Sequence, residues 1–118
     1  MARYFCDGSA NIGVRSAHCV TDANGKVLVM AEMTGENTRT SNEEEYRGVI
    51  TALGICSTGD EILTDSKLVV EQVNGRWKVK KAHLQPLCDE AKRLLCLRNA
   101  TLTWISREVN LAGHIFEK

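Results

Sequence analysis

At 118 residues, with 43% hydrophobic and 25% charged side chains, the chain has the make-up of one globular domain whose core needs no staples. Its 15 basic and 15 acidic residues cancel, so net charge says nothing for or against nucleic acid and only local patches carry information. No apolar run approaches the ~20 residues that span a bilayer, so no membrane partner is expected.

Met1-Ala2-Arg3 leads straight into the first strand, which leaves no room for a signal peptide. The cysteines, Cys6, Cys19, Cys56, Cys88 and Cys96, are odd in number and show no CxxC spacing. That suits a reduced, cytoplasmic chain better than a disulfide framework or a zinc site. With one proline, no repeat and no linker, a single domain over residues 1–118 is expected, working as a monomer.

Residues 2–7 read as a buried strand: Tyr4-Phe5-Cys6 ends on Asp7, and Gly8-Ser9-Ala10-Asn11 turns the chain at once. A carboxylate is costly to desolvate unless its charge is offset. The ordinary explanation is that Asp7 accepts hydrogen bonds from its own turn; a functional one needs other residues. Gly13 to Thr21 alternates in part, with Val14, Ser16, His18 and Val20 on one face and Arg15, Ala17 and Cys19 on the other. Asp22-Ala23-Asn24-Gly25 is a hairpin turn, because Asn-Gly tolerates positive φ. Lys26 to Met33 is the returning strand, which completes an antiparallel meander.

After a polar loop, Ser41 opens a helix. Ser41-x-x-Glu44 reads as a capping box, and Glu43, Glu44 and Glu45 occupy the first turn, where the dipole favours acids. Tyr46, Val49, Ile50 and Leu53 recur at helical spacing. Glu61 to Asp65 is a short strand, again ending on an acid before a serine. Leu68 to Val73 is a short helix stopped by Asn74-Gly75, and the basic stretch Arg76-Trp77-Lys78-Val79-Lys80-Lys81 follows. About His83 to Leu97 is an amphipathic helix with Leu84, Leu87, Cys88, Ala91, Leu94 and Leu95 inward and Pro86 in its first turn. Thr101 to Ile105 is the last strand, and Asn110 caps a short final helix over Leu111 to Glu117.

The order β-β-β-α-β-α-α-β-α implies an α/β fold: a mixed five-stranded sheet, three antiparallel strands and then two parallel ones, with helices on both faces. Sites in such sheets lie outside the carboxyl ends of the parallel strands. Asp7 and Asp65 both end candidate parallel strands, and Glu45 opens the helix before the Asp65 strand. Carboxylates gathered without basic partners repel one another, and a divalent cation with hard oxygen ligands, Mg²⁺ or Mn²⁺, resolves the conflict. Two such ions about 4 Å apart activate water and stabilise the leaving oxygen of a phosphodiester. Each acid also has an ordinary alternative: the helix dipole for Glu45, and a cap of the next helix for Asp65, in competition with Ser66.

In order and spacing, Asp7-Gly8-Ser9, Thr40-Ser41-Asn42-x-x-Glu45-Tyr46, Thr64-Asp65-Ser66 with Gln72-x-Asn74-Gly75, and Trp104-Ile105-x-Arg107-Glu108-x-Asn110 form a set. On this set the chain resembles type 1 ribonuclease H across nearly its whole length. The resemblance implies an endoribonuclease that cleaves the RNA strand of RNA–DNA hybrids with two Mg²⁺ or Mn²⁺ ions, leaving 3′-hydroxyl and 5′-phosphate ends. Asp7 would be shared by both metals, Glu45 and Asp65 would complete one site, and Glu45 would also lie near the RNA 2′-OH. Gly8, Ser9, Asn11, Thr40 and Asn42 fall where the family meets the backbone and minor groove, whose 2′-OH groups such contacts read.

The fourth acid of the family is missing. It stands four residues after the Asn of Arg-Glu-x-Asn; here that position is His114, after Asn110. Three readings stay open: His114 binds the second metal directly or through water, Asn110 supplies a carbonyl oxygen, or the second site is weak. The last gives the alternative function, a module that holds hybrids and cuts them poorly. The basic stretch falls where the family meets the DNA strand, through Trp77 and Lys78. It is short, as in a compact form without the extended basic protrusion. Trp77 either stacks on a sugar or packs over the helix junction.

Overall fold

The computed structural model describes residues 1–116. β1 (Arg3–Asn11), β2 (Arg15–Thr21) and β3 (Val27–Thr34) form the meander. They are followed by α1 (Ser41–Ile55), β4 (Glu61–Thr64), α2 (Lys67–Val73), α3 (Gln85–Arg98) and β5 (Thr101–Trp104). The strands form one sheet in the order β3-β2-β1-β4-β5, with β4 parallel to β1 and β5 parallel to β4. The mixed five-stranded sheet expected from the element order is therefore present. Among the described residues, no helix is long and apolar enough to cross a membrane.

Alternation along the strands sends Cys6, Val20, Ile62 and Leu102 to one face, where they meet Tyr46, Val49 and Leu53 of α1, Val69, Val70 and Val73 of α2, and Cys88 and Ala91 of α3. Each large apolar side chain buried there contributes about 2 kcal/mol by removal from water. The opposite face, which carries Asp7 and Cys19, is covered by the C-terminal segment. The Cys19 thiol lies 3.3 Å from the Ala112 carbonyl, and a 3₁₀ turn spans Gly113–Ile115. The three α-helices thus lie together on one face, and the C-terminal segment with its 3₁₀ turn covers the other.

Three of the differences from the expected boundaries bear on the site. β1 does not end at Asp7 but runs on to Asn11, because β2 continues to pair with it through Asn11↔Arg15. The capping box sits one residue earlier than expected: the Thr40 hydroxyl accepts from the Glu43 amide at 3.1 Å, and the Glu43 carboxylate accepts from the Thr40 amide at 2.9 Å. That leaves Glu44 free for another task. At the C-terminus, Asn110 does accept from the Ala112 amide, as a cap would, but only the 3₁₀ turn follows. Gly113 disfavours helix there, and so short a segment does not recover the cost of helix nucleation. Glu117 lies outside the described residues.

Candidate active site

The parallel pairing of β1 with β4 stops at Phe5↔Leu63, while its antiparallel pairing with β2 continues. Asp7 therefore lies just past the carboxyl end of the parallel half of the sheet, although it is inside a strand. Asp65 follows the last residue of β4, and its carbonyl accepts the Trp104 indole N–H at 3.1 Å. Ser66, not Asp65, caps α2, accepting from the Val69 amide at 3.3 Å, so the Asp65 carboxylate is not spent on the cap. Glu45 arrives from the first turn of α1, which rests directly on Gly8. One carboxylate oxygen from each of Asp7, Glu45 and Asp65 lies within 4.8 Å of the others.

Burial pushes the Asp7 carboxyl up to about 7, helped by the charges of Asp65 and Glu45 and opposed by the Gly8 amide and Arg107. Burial likewise pushes Glu45 up to about 7; Asp65 adds to the rise, while the Ser66 hydroxyl and Arg107 act against it. The Asp65 Oδ2 atom is buried and accepts no hydrogen bond. Three converging carboxylates, two of them reluctant to ionise and one with an orphaned oxygen, are a donor set that fits a hard divalent cation. Arg107 stands 3.9 Å from that oxygen with its side chain 76% exposed, so it offsets the cluster's charge only in part. Sequence alone gives Arg107 no role beyond its place in the Trp104–Asn110 motif.

The three consecutive glutamates have three fates. Glu43 closes the capping box, Glu45 joins the acid cluster, and Glu44 is buried against His18, with Glu44 Oε1 and His18 Nδ1 2.9 Å apart. The last contact was invisible in sequence, because His18 and Glu44 lie 26 positions apart on different elements.

The expected substrate contacts fall in two depressions. Ser9 and Asn11 line one of about 250 Å³ on the β1–β2 hairpin, beginning two residues along the strand from Asp7. Asn42, Trp77 and Lys78 line a groove of about 650 Å³ together with Arg76, Lys80 and Lys81. Asn42 is one helical turn before Glu45. Trp77 is 46% exposed and so presents a face to that groove. Buried Gln72 ties the groove to the helices: its carbonyl accepts the Tyr46 hydroxyl at 2.6 Å, and its amide donates to the Lys78 carbonyl at 3.3 Å. Thr40 is spent in part on the α1 cap. Gly8 serves as the seat of α1.

The two candidates for the fourth position both meet backbone partners in this conformation. The buried Asn110 amide donates to the Cys6 carbonyl and its oxygen accepts from the Ala112 amide, both at 3.1 Å. His114 is exposed, with Nε2 2.9 Å from the Glu108 carbonyl. Its neighbour Gly113 is the closer one: a side chain there would meet Asp7 Oδ2 at 3.3 Å.

Comparison with known proteins agrees with this geometry. The family model described as "Reverse transcriptase-like" matches residues 5–117. A bifunctional protein of Mycobacterium tuberculosis, Rv2228c, is 42% identical over 76 residues, 60% of this chain; the match spans about a fifth of that relative, 21% of its length. The solved N-terminal RNase H domain of that protein, fused to maltose-binding protein, superposes with TM-score 0.71 at 31% identity, covering 92% of this chain and 84% of that one. LC11-RNase H1, solved in complex with an RNA/DNA hybrid, gives 0.69 at 26% identity over 93% and 88%. RNase H1 of Halobacterium salinarum gives 0.74 over 97% and 92%; at 22% identity it speaks for the fold alone.

Proposed function

Since this chain belongs to the reverse transcriptase-like family, in its type 1 ribonuclease H branch, we propose that it hydrolyses the RNA strand of RNA–DNA hybrids in a metal-dependent reaction. The observation that carries this reading is the meeting of Asp7, Glu45 and Asp65 within 4.8 Å at the end of the parallel strands. These residues would hold Mg²⁺ or Mn²⁺, two ions per site with Asp7 shared. Bound there, the cations would supply an activated water and neutralise charge on the leaving oxygen.

The chain's own residues do the rest. The basic groove with Trp77 and Lys78 takes one strand's backbone, and Ser9 and Asn11 approach the minor groove of the hybrid, where 2′-OH groups mark the RNA strand. Glu45, in the first turn of α1, would also lie near the RNA 2′-OH. Arg107 offers an exposed cation next to Asp65 for the phosphate's negative charge. Water adds to phosphorus and the bond to the 3′ oxygen breaks, which leaves a 3′-hydroxyl and a 5′-phosphate. Five free cysteines, four of them buried, support a reducing, cytoplasmic setting.

A second reading, a module that holds hybrids with little cleavage, is favoured by one observation: the side chains of Asn110 and His114 both have backbone partners. Incubation of labelled RNA–DNA hybrid, double-stranded RNA and double-stranded DNA with Mg²⁺ or Mn²⁺ separates the possibilities. Cleavage confined to the RNA of the hybrid is expected. Binding without cleavage in either metal leaves the second reading, and equal cleavage of double-stranded RNA points to a nuclease of another duplex.

A further inference from the structure

Glu44 and His18 form a buried polar pair that the proposed chemistry does not use. Glu44 is 1% exposed and His18 is 7% exposed. His18 lies on β2 directly opposite Gly8, the residue after Asp7. One imidazole reaches two points of α1: Nδ1 lies 2.9 Å from Glu44 Oε1, and Nε2 lies 3.3 Å from Thr51 Oγ1. Glu44 and Thr51 are seven positions apart, close to two full helical turns, so both stand on the same face of α1. The ring therefore grips the helix along its length and fixes its rotation against the sheet.

This contact is a poor way to gain stability. Glu44 Oε2 is buried with no hydrogen-bond partner, and buried ionic pairs are often matched or bettered by apolar side chains of similar volume. What such a pair does supply is a defined register. Glu45 follows Glu44 by about 100° around the helix, so any rotation that slackens Glu44 swings Glu45 out of the acid cluster. A displacement of about 1 Å at a reacting centre costs up to about 100-fold in rate.

We propose that the buried His18–Glu44–Thr51 chain is a positioning clamp that sets the rotation of α1 and thereby holds Glu45 against Asp7 and Asp65. The clamp rests on the reading of Glu45 as a metal ligand, and its test separates the two. Mn²⁺ is titrated into the wild-type chain and three variants, followed by the ion's paramagnetic signal. Hydrogen exchange of the backbone amides of residues 44–47 is read on the same proteins without metal. The variant His18→Leu/Glu44→Met replaces the pair by apolar groups, Glu44→Gln keeps a hydrogen-bonding partner for the ring, and Thr51→Val removes the outer contact.

The double variant is expected to bind Mn²⁺ about 10-fold more weakly and to exchange those amides about 10-fold faster, as a loosened helix start requires. Glu44→Gln should stay within about twofold of wild type in both readouts, and Thr51→Val should fall between, since each retains part of the grip. A double variant that matches wild type in both readouts overturns the clamp. So does a Glu44→Gln variant that falls as far as the double, because charge rather than position would then be at work. If the double variant does not fold, Thr51→Val decides, and wild-type behaviour there overturns the proposal. A wild-type chain that binds Mn²⁺ and leaves hybrids uncut removes the nuclease reading alone. One that binds no Mn²⁺ removes the metal assignment, and the exchange rates still decide the clamp.

Discussion

Gly8 and Glu45 touch through their backbones: a β-carbon on Gly8 would stand 2.4 Å from the amide nitrogen of Glu45 and equally close to the carbonyl carbon of Glu44. No L side chain fits that space, and the obstruction is backbone that cannot rotate aside. Gly8→Ala must push the start of α1 off β1 and carry Glu45 away from Asp7. Overpacking of this kind costs about 3 kcal/mol or more. The expected result is a lower denaturation midpoint together with loss of hybrid cleavage. Cleavage at the wild-type rate in a stably folded Gly8→Ala variant would contradict the seating of Glu45.

The acid cluster makes stability depend on pH in an unusual direction. In the fold, Asp7 and Glu45 keep their protons up to about 7, whereas the free side chains titrate near about 4. Between those limits the folded state binds more protons than the unfolded one, so stability falls as pH rises across the window. Asp60 acts oppositely and at lower pH: the amides of Ala2 and Ser57 hold its carboxyl below the usual range, so its contribution is lost on acidification. In metal-free buffer the urea midpoint should therefore decline from about pH 4.5 to about pH 7.5. Added Mg²⁺ should restore it most at the upper end, by about 2.7 kcal/mol at a hundredfold excess over its dissociation constant. A midpoint that is flat in pH and indifferent to Mg²⁺ would contradict the coupled acids.

His114 is exposed and tied to the Glu108 carbonyl. His114→Ala is accordingly expected to be milder than loss of any of the three acids, with a rate reduction of about 10-fold or less, below the roughly 100-fold that a positioned acid–base group contributes at the least. A fall as deep as that of an acid variant would show that the loop swings His114 into the site when metal and substrate are bound. Arg107→Ala should lower kcat more than it raises KM, because the exposed guanidinium next to Asp65 meets charge that grows in the transition state.

The groove residues should affect binding rather than chemistry. Lys78→Ala should weaken hybrid binding and reduce its salt dependence by about one ion while leaving kcat near wild type. Trp77→Ala should cost about 1–3 kcal/mol of binding if its exposed ring stacks on the strand. Fluorescence anisotropy across a salt series measures both. Unchanged affinity in both variants would remove the groove from the interface.

Most of the fold was legible because its signals are local. Asn24-Gly25 marks the hairpin, the apolar spacing of α1 is helical, and the alternation of strands and helices after Thr40 dictates parallel pairing. The three acids were legible because two of them follow apolar strands. What escaped was decided by packing. Asp7 was read as a strand end because Gly8-Ser9 looks like a turn, yet β2 keeps the chain extended and Gly8 is there to admit α1. The cap moved from Ser41 to Thr40 because Glu44 is drawn inward by a histidine from β2, a contact no spacing rule contains. Trp104 reads as a strand residue and a motif member, and only the structure shows its indole steadying the Asp65 backbone from the neighbouring strand.

The most direct measurement compares wild type with Asp7→Asn on a labelled RNA–DNA hybrid, with cleavage and binding followed in the same Mg²⁺ or Mn²⁺ buffer. Asp7 stands among the other acids and lines neither the groove nor the hairpin depression proposed to take the duplex. Cleavage should drop roughly 1,000-fold or more with loss of the metal-bridging charge, and binding should stay within a few-fold. An Asp7→Asn variant that cuts the hybrid at close to the wild-type rate would contradict the assignment of this cluster as the catalytic centre.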